Sequence, residues 1–264
     1  MFPRLLHFGN FFLPTYGFMA AIGLIVGLLV LSRFARKNGV DPDDAWNLGI
    51  IVILSGIVGA KILLVIVDWQ HYRSDLFSTM QAGGVFSGGV VAAFLCGTWY
   101  ARRRKMPWLK TADVFAPAVA LAHAFGRLGC FAAGCCYGKE TNLPWGVKFT
   151  DEWAHKLSDT PLGVHLHPTQ IYEFLVELTN FFILAWLFRR KKFDGQIIGT
   201  YLFIYGVARF FLEFLRGDQG RGEFFGTWMT ATQSIAILMV VGGGVLWMRR
   251  PRHLTSEMRS TSPA

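Results

Sequence analysis

Seven long apolar runs, separated by loops rich in charge, glycine or proline, constrain this chain more than any other feature of its sequence. Each run is long enough for a helix to cross about 30 Å of hydrocarbon. The predicted spans are 14–32, 46–67, 85–101, 112–131, 170–188, 196–215 and 227–248. This pattern predicts an all-α polytopic membrane protein with about seven transmembrane helices.

Lysine and arginine are distributed unevenly between the loops on the two sides of these spans. Of the 26 Lys and Arg residues, sixteen lie on one side and seven on the other, while Lys61, Arg127 and Arg209 lie within spans. Because cytoplasmic loops carry the excess of positive charge, we expect the N-terminus outside, on the periplasmic side, and the C-terminus in the cytoplasm. The same clustering explains the net charge of +9 and predicts no nucleic-acid partner.

The chain is predicted to form one transmembrane domain over residues 1–252, with an external segment at 132–169. The sequence has no internal repeat of the kind found in inverted-repeat transporters. The fourth span contains Pro117 among small residues, so we expect it to be kinked or partly irregular. Residues 253–264 are predicted to be a disordered cytoplasmic tail.

Ionisable residues within the spans mark the candidate site, because a charge near the bilayer centre costs several kcal/mol. The sixth span has four polar residues at spacings of 4, 4 and 3, which places them on one helical face: Tyr205, Arg209, Glu213 and Arg216. Two guanidinium groups with a carboxylate and a phenol suit a phosphate ligand. A structural Arg–Glu–Arg network between helices is the alternative.

The fourth span ends in a second polar group, in which His123 lies one turn before Arg127. An arginine at that depth needs an anionic partner. Cys130, Cys135 and Cys136 follow at a C-x4-C-C spacing that is not typical of zinc proteins. We interpret these cysteines as packing residues, with a redox pair as the alternative. No metal and no dissociable cofactor is expected.

Two further segments carry motif-like residues. Glycines flank Ser87 in the string AGGVFSGG at the start of the third span, which indicates a tight turn facing a ligand. The fifth span begins HPTQIYE, where Thr169 is a candidate helix cap and Gln170, Tyr172 and Glu173 follow. A simple helix-start signal is the alternative for this second segment.

Together these motifs resemble the bacterial prolipoprotein diacylglyceryl transferase family. The resemblance is carried by the string GRLGCF and its continuation to Gly138, by HPTQIYE, and by the helical face from Tyr205 to Arg216. It extends from about Tyr16 to Trp247, which is nearly the whole chain. Seven spans and an outside N-terminus also agree with what the resemblance implies.

The resemblance implies transfer of the sn-1,2-diacylglyceryl group from phosphatidylglycerol to the lipobox cysteine of a prolipoprotein, which forms a thioether and releases glycerol phosphate. This is the first step of bacterial lipoprotein maturation. It implies an inner-membrane protein with its site toward the outer leaflet. Arg127 and Arg209 are the candidates for binding the phosphate, and Tyr16 and Tyr205 align with tyrosines at the family's site. The residues expected to contact the head group are Arg127, Arg209, Glu213, Arg216, Cys130, Gly138, Gln170, Tyr172 and Glu173.

Three positions depart from the family pattern. Cys130 stands where many members have Asn, Cys135 where many have Glu, and Ser87 where many have His or Tyr. Ser87 stays a candidate catalytic residue, but serine is a poor base, so we hypothesise that His123 partly fills that role.

These departures leave other functions open. A divergent paralogue with another lipid or thiol acceptor, an anionic-solute transporter and a membrane thiol-redox protein are the alternatives. The expected partners are phosphatidylglycerol, a lipobox peptide and the lipid bilayer. Because lipid and peptide must both reach the site, we expect lateral openings between the spans.

Overall fold

The computed structural model describes residues 2–8, 11–69, 84–218 and 229–249. The helices in these ranges are Thr15–Asn38 (α1), Pro42–Val67 (α2), Phe86–Arg103 (α3), Trp108–Ala133 (α4), Glu152–Ser158 (α5), Thr169–Phe188 (α6), Gln196–Leu215 (α7) and Ala231–Met248 (α8). The prediction of a helical polytopic protein is confirmed, and each of the seven predicted spans coincides with a long helix. The predicted tail at 253–264 lies outside the described residues.

Among the helices in the described ranges, six are long and apolar enough to cross a membrane, namely all the long ones except α3. A seventh crossing by α3 stays a prediction, as does the orientation of the termini. Outward-facing Ile57, Phe182 and Leu238 are more than half exposed, whereas Gln170 and Asn180 are fully buried. Apolar side chains outside and polar ones inside are expected of helices whose solvent is lipid.

Capping residues set where two helices begin. Asp41 accepts hydrogen bonds from two backbone N–H groups in the first turn of α2, so this helix begins at Pro42 rather than at 46. Thr230 forms a capping box with Gln233, so α8 begins at Ala231 rather than at 227.

Pro117 lies inside α4, which continues unbroken from Trp108 to Ala133. The fourth span is therefore not irregular, and a kink at Pro117 stays a prediction. Proline removes a single backbone donor and crowds the carbonyl four residues earlier. Its neighbours Ala116 and Ala118 are small and buried, which leaves room for the ring within a continuous helix.

The chain divides into two compact units, residues 28–111 and a main unit of residues 1–27 with 112–264. In the 28–111 unit, α2 and α3 cross at glycines. A Cβ atom on Gly59 would lie 2.6 Å from the carbonyl oxygen of Gly88, so only glycine permits this approach. Gly88 therefore serves helix packing rather than the ligand-facing turn that the sequence indicated. Ala82 and Gly83 lie outside the described residues.

In the main unit, α7 packs against both α6 and α8. In its described residues, four short strands that the sequence did not predict lie outside the long helices. They form two antiparallel pairs: Arg4–Phe8 (β1) with Phe11–Pro14 (β2), and Val147–Lys148 (β3) with His165–Leu166 (β4). Tyr137, Phe149 and Leu166 form a small buried core under β3 and β4. The predicted external segment is thus a folded structure with its own apolar centre.

Candidate active site

Polar side chains from α4, α6 and α7 meet inside the main unit. On each helix they recur at intervals of four residues, which places them on one face. The group comprises His123 and Arg127 from α4, Glu173 and Glu177 from α6, and Tyr201, Tyr205, Arg209 and Glu213 from α7. We call this group the ion-pair network.

Glu173 is the centre of the ion-pair network. Its Oε1 lies 2.8 Å from Nη2 of Arg127 and 4.0 Å from Nε of Arg209. The Tyr205 hydroxyl donates to the same oxygen at 3.1 Å. The side chain is only 1% exposed, and a carboxylate at that depth is tolerated only with such partners. Glu173 therefore connects α6 to both α4 and α7.

Within the described residues, one terminal nitrogen of the Arg209 guanidinium has a partner and the other has none. Its Nη2 lies 2.8 Å from Oε2 of Glu213, whose other oxygen accepts a 2.9 Å hydrogen bond from the Thr230 hydroxyl. Its Nη1 is buried and has no hydrogen-bond partner in the described part of the chain. A buried donor without an acceptor is costly, and a bound anion would satisfy it.

His123 bridges Arg127 and Glu177. Its Nε2 accepts a 3.1 Å hydrogen bond from Nε of Arg127, and its Nδ1 lies 2.9 Å from Oε1 of Glu177. These partners assign the proton to Nδ1, since Nε2 is already an acceptor. In this arrangement His123 orients the Arg127 guanidinium, and its use as a base stays a prediction.

Arg216 lies one residue beyond the end of α7 and so outside the helical face of Tyr205, Arg209 and Glu213. It forms two parallel hydrogen bonds to Asp218, of 2.9 and 2.7 Å. Burial alone would lower the pKa of Arg216, but the hydrogen bonds to Asp218 outweigh it and raise that pKa above its ordinary value. Arg216 is therefore a fixed cation.

Gly138 lies where three segments of the main unit cross. Its backbone N–H donates to the carbonyl of His167 at 3.0 Å, and it forms an isolated β-bridge with Arg216. A Cβ atom here would lie 2.7 Å from the His167 oxygen and 2.8 Å from the Leu215 oxygen. Glycine at this position ties the chain after α4 to the start of α6 and the end of α7.

The HPTQIYE segment holds the chain that follows α4. Gln170 donates from Nε2 to the Cys135 carbonyl at 2.7 Å, and the Thr169 hydroxyl donates to the Cys136 carbonyl at 2.8 Å. Thr169 is not the helix cap that the sequence suggested, because the N-cap position is Pro168. This segment therefore anchors the cysteines rather than only starting a helix.

Tyr172, which was expected at the head group, bonds to the segment 132–169 that was predicted to be external. Its hydroxyl accepts a 2.7 Å hydrogen bond from Nε1 of Trp145 and lies 3.2 Å from Nδ1 of His167.

The sulfur atoms of Cys130, Cys135 and Cys136 lie within 4.8 Å of one another. We call these residues the cysteine cluster. Cys136 has a left-handed backbone (φ 62°) and Gly134 does too (φ 81°), which turns the chain back toward the end of α4. The C-x4-C-C spacing gives no sign of this turn. The cluster has the geometry to hold a metal ion, although the spacing argued for packing residues.

Two predicted site residues lie in first turns of helices. Tyr16, on α1, packs against Gly129, where a Cβ atom would be 3.2 Å from its ring. Ser87, on α3, is exposed and belongs to the 28–111 unit. Catalytic roles for Tyr16 and Ser87 stay predictions.

Sequence reasoning missed Glu177 and Tyr201. Glu177 is fully buried and lies one turn after Glu173, inside the predicted 170–188 span. The argument that marks an intramembrane charge as functional applies to it equally. Tyr201 lies one turn before Tyr205, and the two rings stack with centroids 5.9 Å apart. The continuation of each helical face was the signal that could have found both.

The helices and the network together define a multi-pass membrane protein with a charged site among its helices. Comparison with known families narrows the class, because the prolipoprotein diacylglyceryl transferase family matches residues 3–249. The chain belongs to this family.

Relatives over most of its length carry the name phosphatidylglycerol–prolipoprotein diacylglyceryl transferase. One from Clostridium tetani is 36% identical over 230 residues, covering 86% of this chain and 89% of the relative. One from Clostridium perfringens, numbered 2, is 34% identical and covers 88% and 89%. One from Verminephrobacter eiseniae is 32% identical and covers 98% and 96%.

Proposed function

We propose that this protein transfers the diacylglyceryl group of phosphatidylglycerol to the lipobox cysteine of a prolipoprotein. Family membership and the names of the relatives, which pair phosphatidylglycerol with prolipoprotein, support these substrates. In this reaction the thiol sulfur attacks the glyceryl carbon, so that a C–S bond forms while the C–O bond to phosphate breaks. Glycerol phosphate leaves with an additional negative charge, and fixed cations at that position lower the barrier.

The observation that carries the proposal is the buried, unpartnered Nη1 of Arg209. Arg209 can donate from Nη1 to a phosphate oxygen while Nη2 stays paired with Glu213. Arg127 uses Nη2 for Glu173 and Nε for His123, which leaves Nη1 outside these bonds. Two guanidinium groups with a donor each suit a phosphodiester.

Glu173, Tyr205 and His123 are proposed to position the two arginines. Glu173 contacts both guanidinium groups and is itself held by the Tyr205 hydroxyl. Because the shared carboxylate fixes both cations before the lipid arrives, little reorganisation is needed as charge develops on the leaving phosphate. Gln170 and Gly138 are proposed to act indirectly, by holding the segment that follows α4 against the start of α6.

We place the site toward the outer leaflet of the bacterial inner membrane. The excess of Lys and Arg in alternate loops supports a periplasmic N-terminus. Lateral access for lipid is supported by an apolar groove of about 480 Å³ between α6 and α7, the two helices that carry Glu173 and Arg209. The groove is lined by Leu175, Val176, Thr179, Phe203, Ile204, Val207 and Ala208.

The test is a transfer assay with the purified full chain. The protein is incubated in phosphatidylglycerol-containing detergent micelles with a lipobox peptide, and the peptide is weighed by mass spectrometry. We expect a diacylglyceryl mass gain that needs the peptide cysteine and disappears in Arg127→Ala and Arg209→Ala. Arg104→Ala is the matched control, because Arg104 pairs with Asp44 in the 28–111 unit. A folded protein that gives no product, or that gives anion flux in liposomes instead, would contradict the proposal.

A further inference from the structure

The cysteine cluster has the dimensions of a metal site. Its three sulfur atoms lie within 4.8 Å of one another. With Zn–S distances of about 2.3 Å, two sulfur ligands of a tetrahedral zinc ion lie about 3.8 Å apart. The sulfur separations therefore exceed the tetrahedral value by at most about 1 Å. We propose that Cys130, Cys135 and Cys136 bind a zinc ion whose fourth position receives the thiol of the acceptor peptide.

The backbone that carries two of the ligands is held in place before any metal binds. Buried Thr169 and Gln170 donate hydrogen bonds to the carbonyls of Cys136 and Cys135, at 2.8 and 2.7 Å. The left-handed conformation of Cys136 is uncommon for a residue with a side chain. It directs the sulfurs of two adjacent residues toward Cys130. The hydrogen bonds to the carbonyls fix the backbone from which these two sulfurs project.

The ligand count favours an exchangeable site over a structural one. Among the residues that the structure describes, the group contains three ligands and no fourth His, Cys, Asp or Glu. Structural zinc sites use four protein ligands, whereas catalytic sites use three and keep one position for water or substrate. Cys130 is buried but Cys135 and Cys136 are partly exposed, so an incoming ligand can approach from their side.

The cluster lies beside the proposed phosphate site. Cys130 lies one turn after Arg127 on α4, and the Arg216 side chain contacts Cys136. Three thiolates with one zinc ion carry a net charge of −1, which these guanidinium groups offset. A sulfur bound to the zinc would thus lie next to the arginine that is proposed to hold the phosphate.

The chemical step follows from this juxtaposition and rests on the proposed transfer function. The acceptor thiol binds the zinc as a thiolate, and its proton passes to solvent water. The sulfur then forms a bond to the glyceryl carbon while the C–O bond to phosphate breaks. The electron pair of that bond leaves on the phosphate oxygen of glycerol phosphate, and the thioether product is a weaker zinc ligand than the thiolate. No oxidant, reductant or separate general base is required.

Metal binding is tested first, without reference to activity. Purified full-length protein is stripped with a chelator and titrated with Co²⁺, which occupies zinc sites and absorbs visible light when thiolates bind it. We expect one Co²⁺ to bind per chain and to give thiolate charge-transfer absorption. Added Zn²⁺ should displace the Co²⁺ and abolish this absorption. Cys130→Ser, Cys135→Ser and Cys136→Ser should each lose tight binding, while Cys96→Ser, on α3 in the 28–111 unit, should keep it. Absence of stoichiometric binding in the folded wild-type chain overturns the site.

The open position is tested with the Co²⁺-loaded protein and a lipobox peptide. We expect the visible spectrum to change with the cysteine peptide and not with its serine counterpart. An unchanged spectrum overturns thiol binding even if the metal site exists. In the transfer assay, stripping the metal should lower the rate at least tenfold and Zn²⁺ should restore it. A full transfer rate without metal overturns the zinc proposal and leaves the transfer function standing. If the spectrum changes with the peptide but no product forms in any metal state, the result counts against the transfer function.

Discussion

Two buried ion-pair sites lie along α7, and they differ in how completely their polar atoms are bonded. At the start of the helix, Asp113 is fully buried and its carboxylate has four partners. Oδ1 accepts from the backbone N–H groups of Ile197 and Ile198, and Oδ2 accepts from that of Gly195 and lies 2.9 Å from Lys191. The acid of α4 thus caps α7 with both of its oxygens occupied.

The ion-pair network in the second half of α7 is less complete. Within the described residues, Nη1 of Arg209 and Oε2 of Glu177 are buried without hydrogen-bond partners. Native proteins leave few such atoms, and each one asks for an explanation such as a ligand. A satisfied buried charge builds the fold, whereas an unsatisfied one is available to a substrate. The difference separates architecture from function on a single helix.

The largest effect should come from Asp113→Ala. This substitution removes the 2.9 Å ion pair with Lys191 and the acceptor of three backbone N–H groups. We expect the free energy of unfolding to fall by about 3–5 kcal/mol, measured by chemical unfolding in detergent. Transfer activity per folded molecule should be unchanged.

Asp194→Ala is the matched control for this change. Asp194 pairs with the same lysine at 2.6 Å but is 51% exposed. Its loss should cost less than about 1 kcal/mol. Equal destabilisation by both substitutions would show that burial is not what distinguishes the Asp113 site.

Arg209→Lys tests the opposite side of the comparison. Lysine keeps a positive charge for Glu213 but lacks the planar fork that reaches a phosphate through Nη1. We expect transfer activity to fall by about 10²–10³-fold, with a much smaller change in stability than Asp113→Ala causes. Arg104→Lys, in the exposed pair with Asp44, should alter neither quantity. Near-normal activity of Arg209→Lys would remove Arg209 from the phosphate site.

His123→Ala separates a positioning role from a base. The substitution removes the hydrogen bond from Nε of Arg127 and the 2.9 Å contact with Glu177. If His123 orients the guanidinium, kcat should fall by about 10- to 100-fold at every pH. A base instead requires a change in the shape of the rate–pH profile. His155→Ala, on the short helix α5 between α4 and α6, is the control and should retain full activity. Full activity of His123→Ala would contradict both the positioning role and the role as a base.

The sequence was sufficient for the helices because lipid imposes a simple rule on their composition. Spans show as apolar runs, and their starts shift by a few residues where Asp41 or Thr230 caps the helix. Arg127 and Arg209 were visible for the same reason, since charges in hydrocarbon are rare. Which acid pairs with which arginine depends on how α4, α6 and α7 pack, and no single helix reveals that.

The cysteine cluster shows the limit of reasoning from spacing. Residue types alone do not indicate that Cys136 adopts a left-handed conformation or that Gln170 holds Cys135 from another helix. Spacing rules assume that nearby ligands lie on a regular strand, turn or helix. Here a tight turn after α4 gathers the sulfurs, so the separation in sequence misrepresents the separation in space.

Thr230→Ala should have the smallest effect, because it removes only a helix cap and one outer hydrogen bond of the ion-pair network. Its hydroxyl caps α8 and also donates to Glu213 at 2.9 Å. Loss of a cap costs about 1 kcal/mol, and a shift in melting temperature measures this cost. Because Glu213 keeps its contact with Arg209, transfer activity should fall less than tenfold. Thr230→Ser retains the hydroxyl and should restore both. An activity loss as large as that of Arg209→Lys would mean that the network depends on its outer hydrogen bond, and the two ends of α7 would differ less than their bonding suggests.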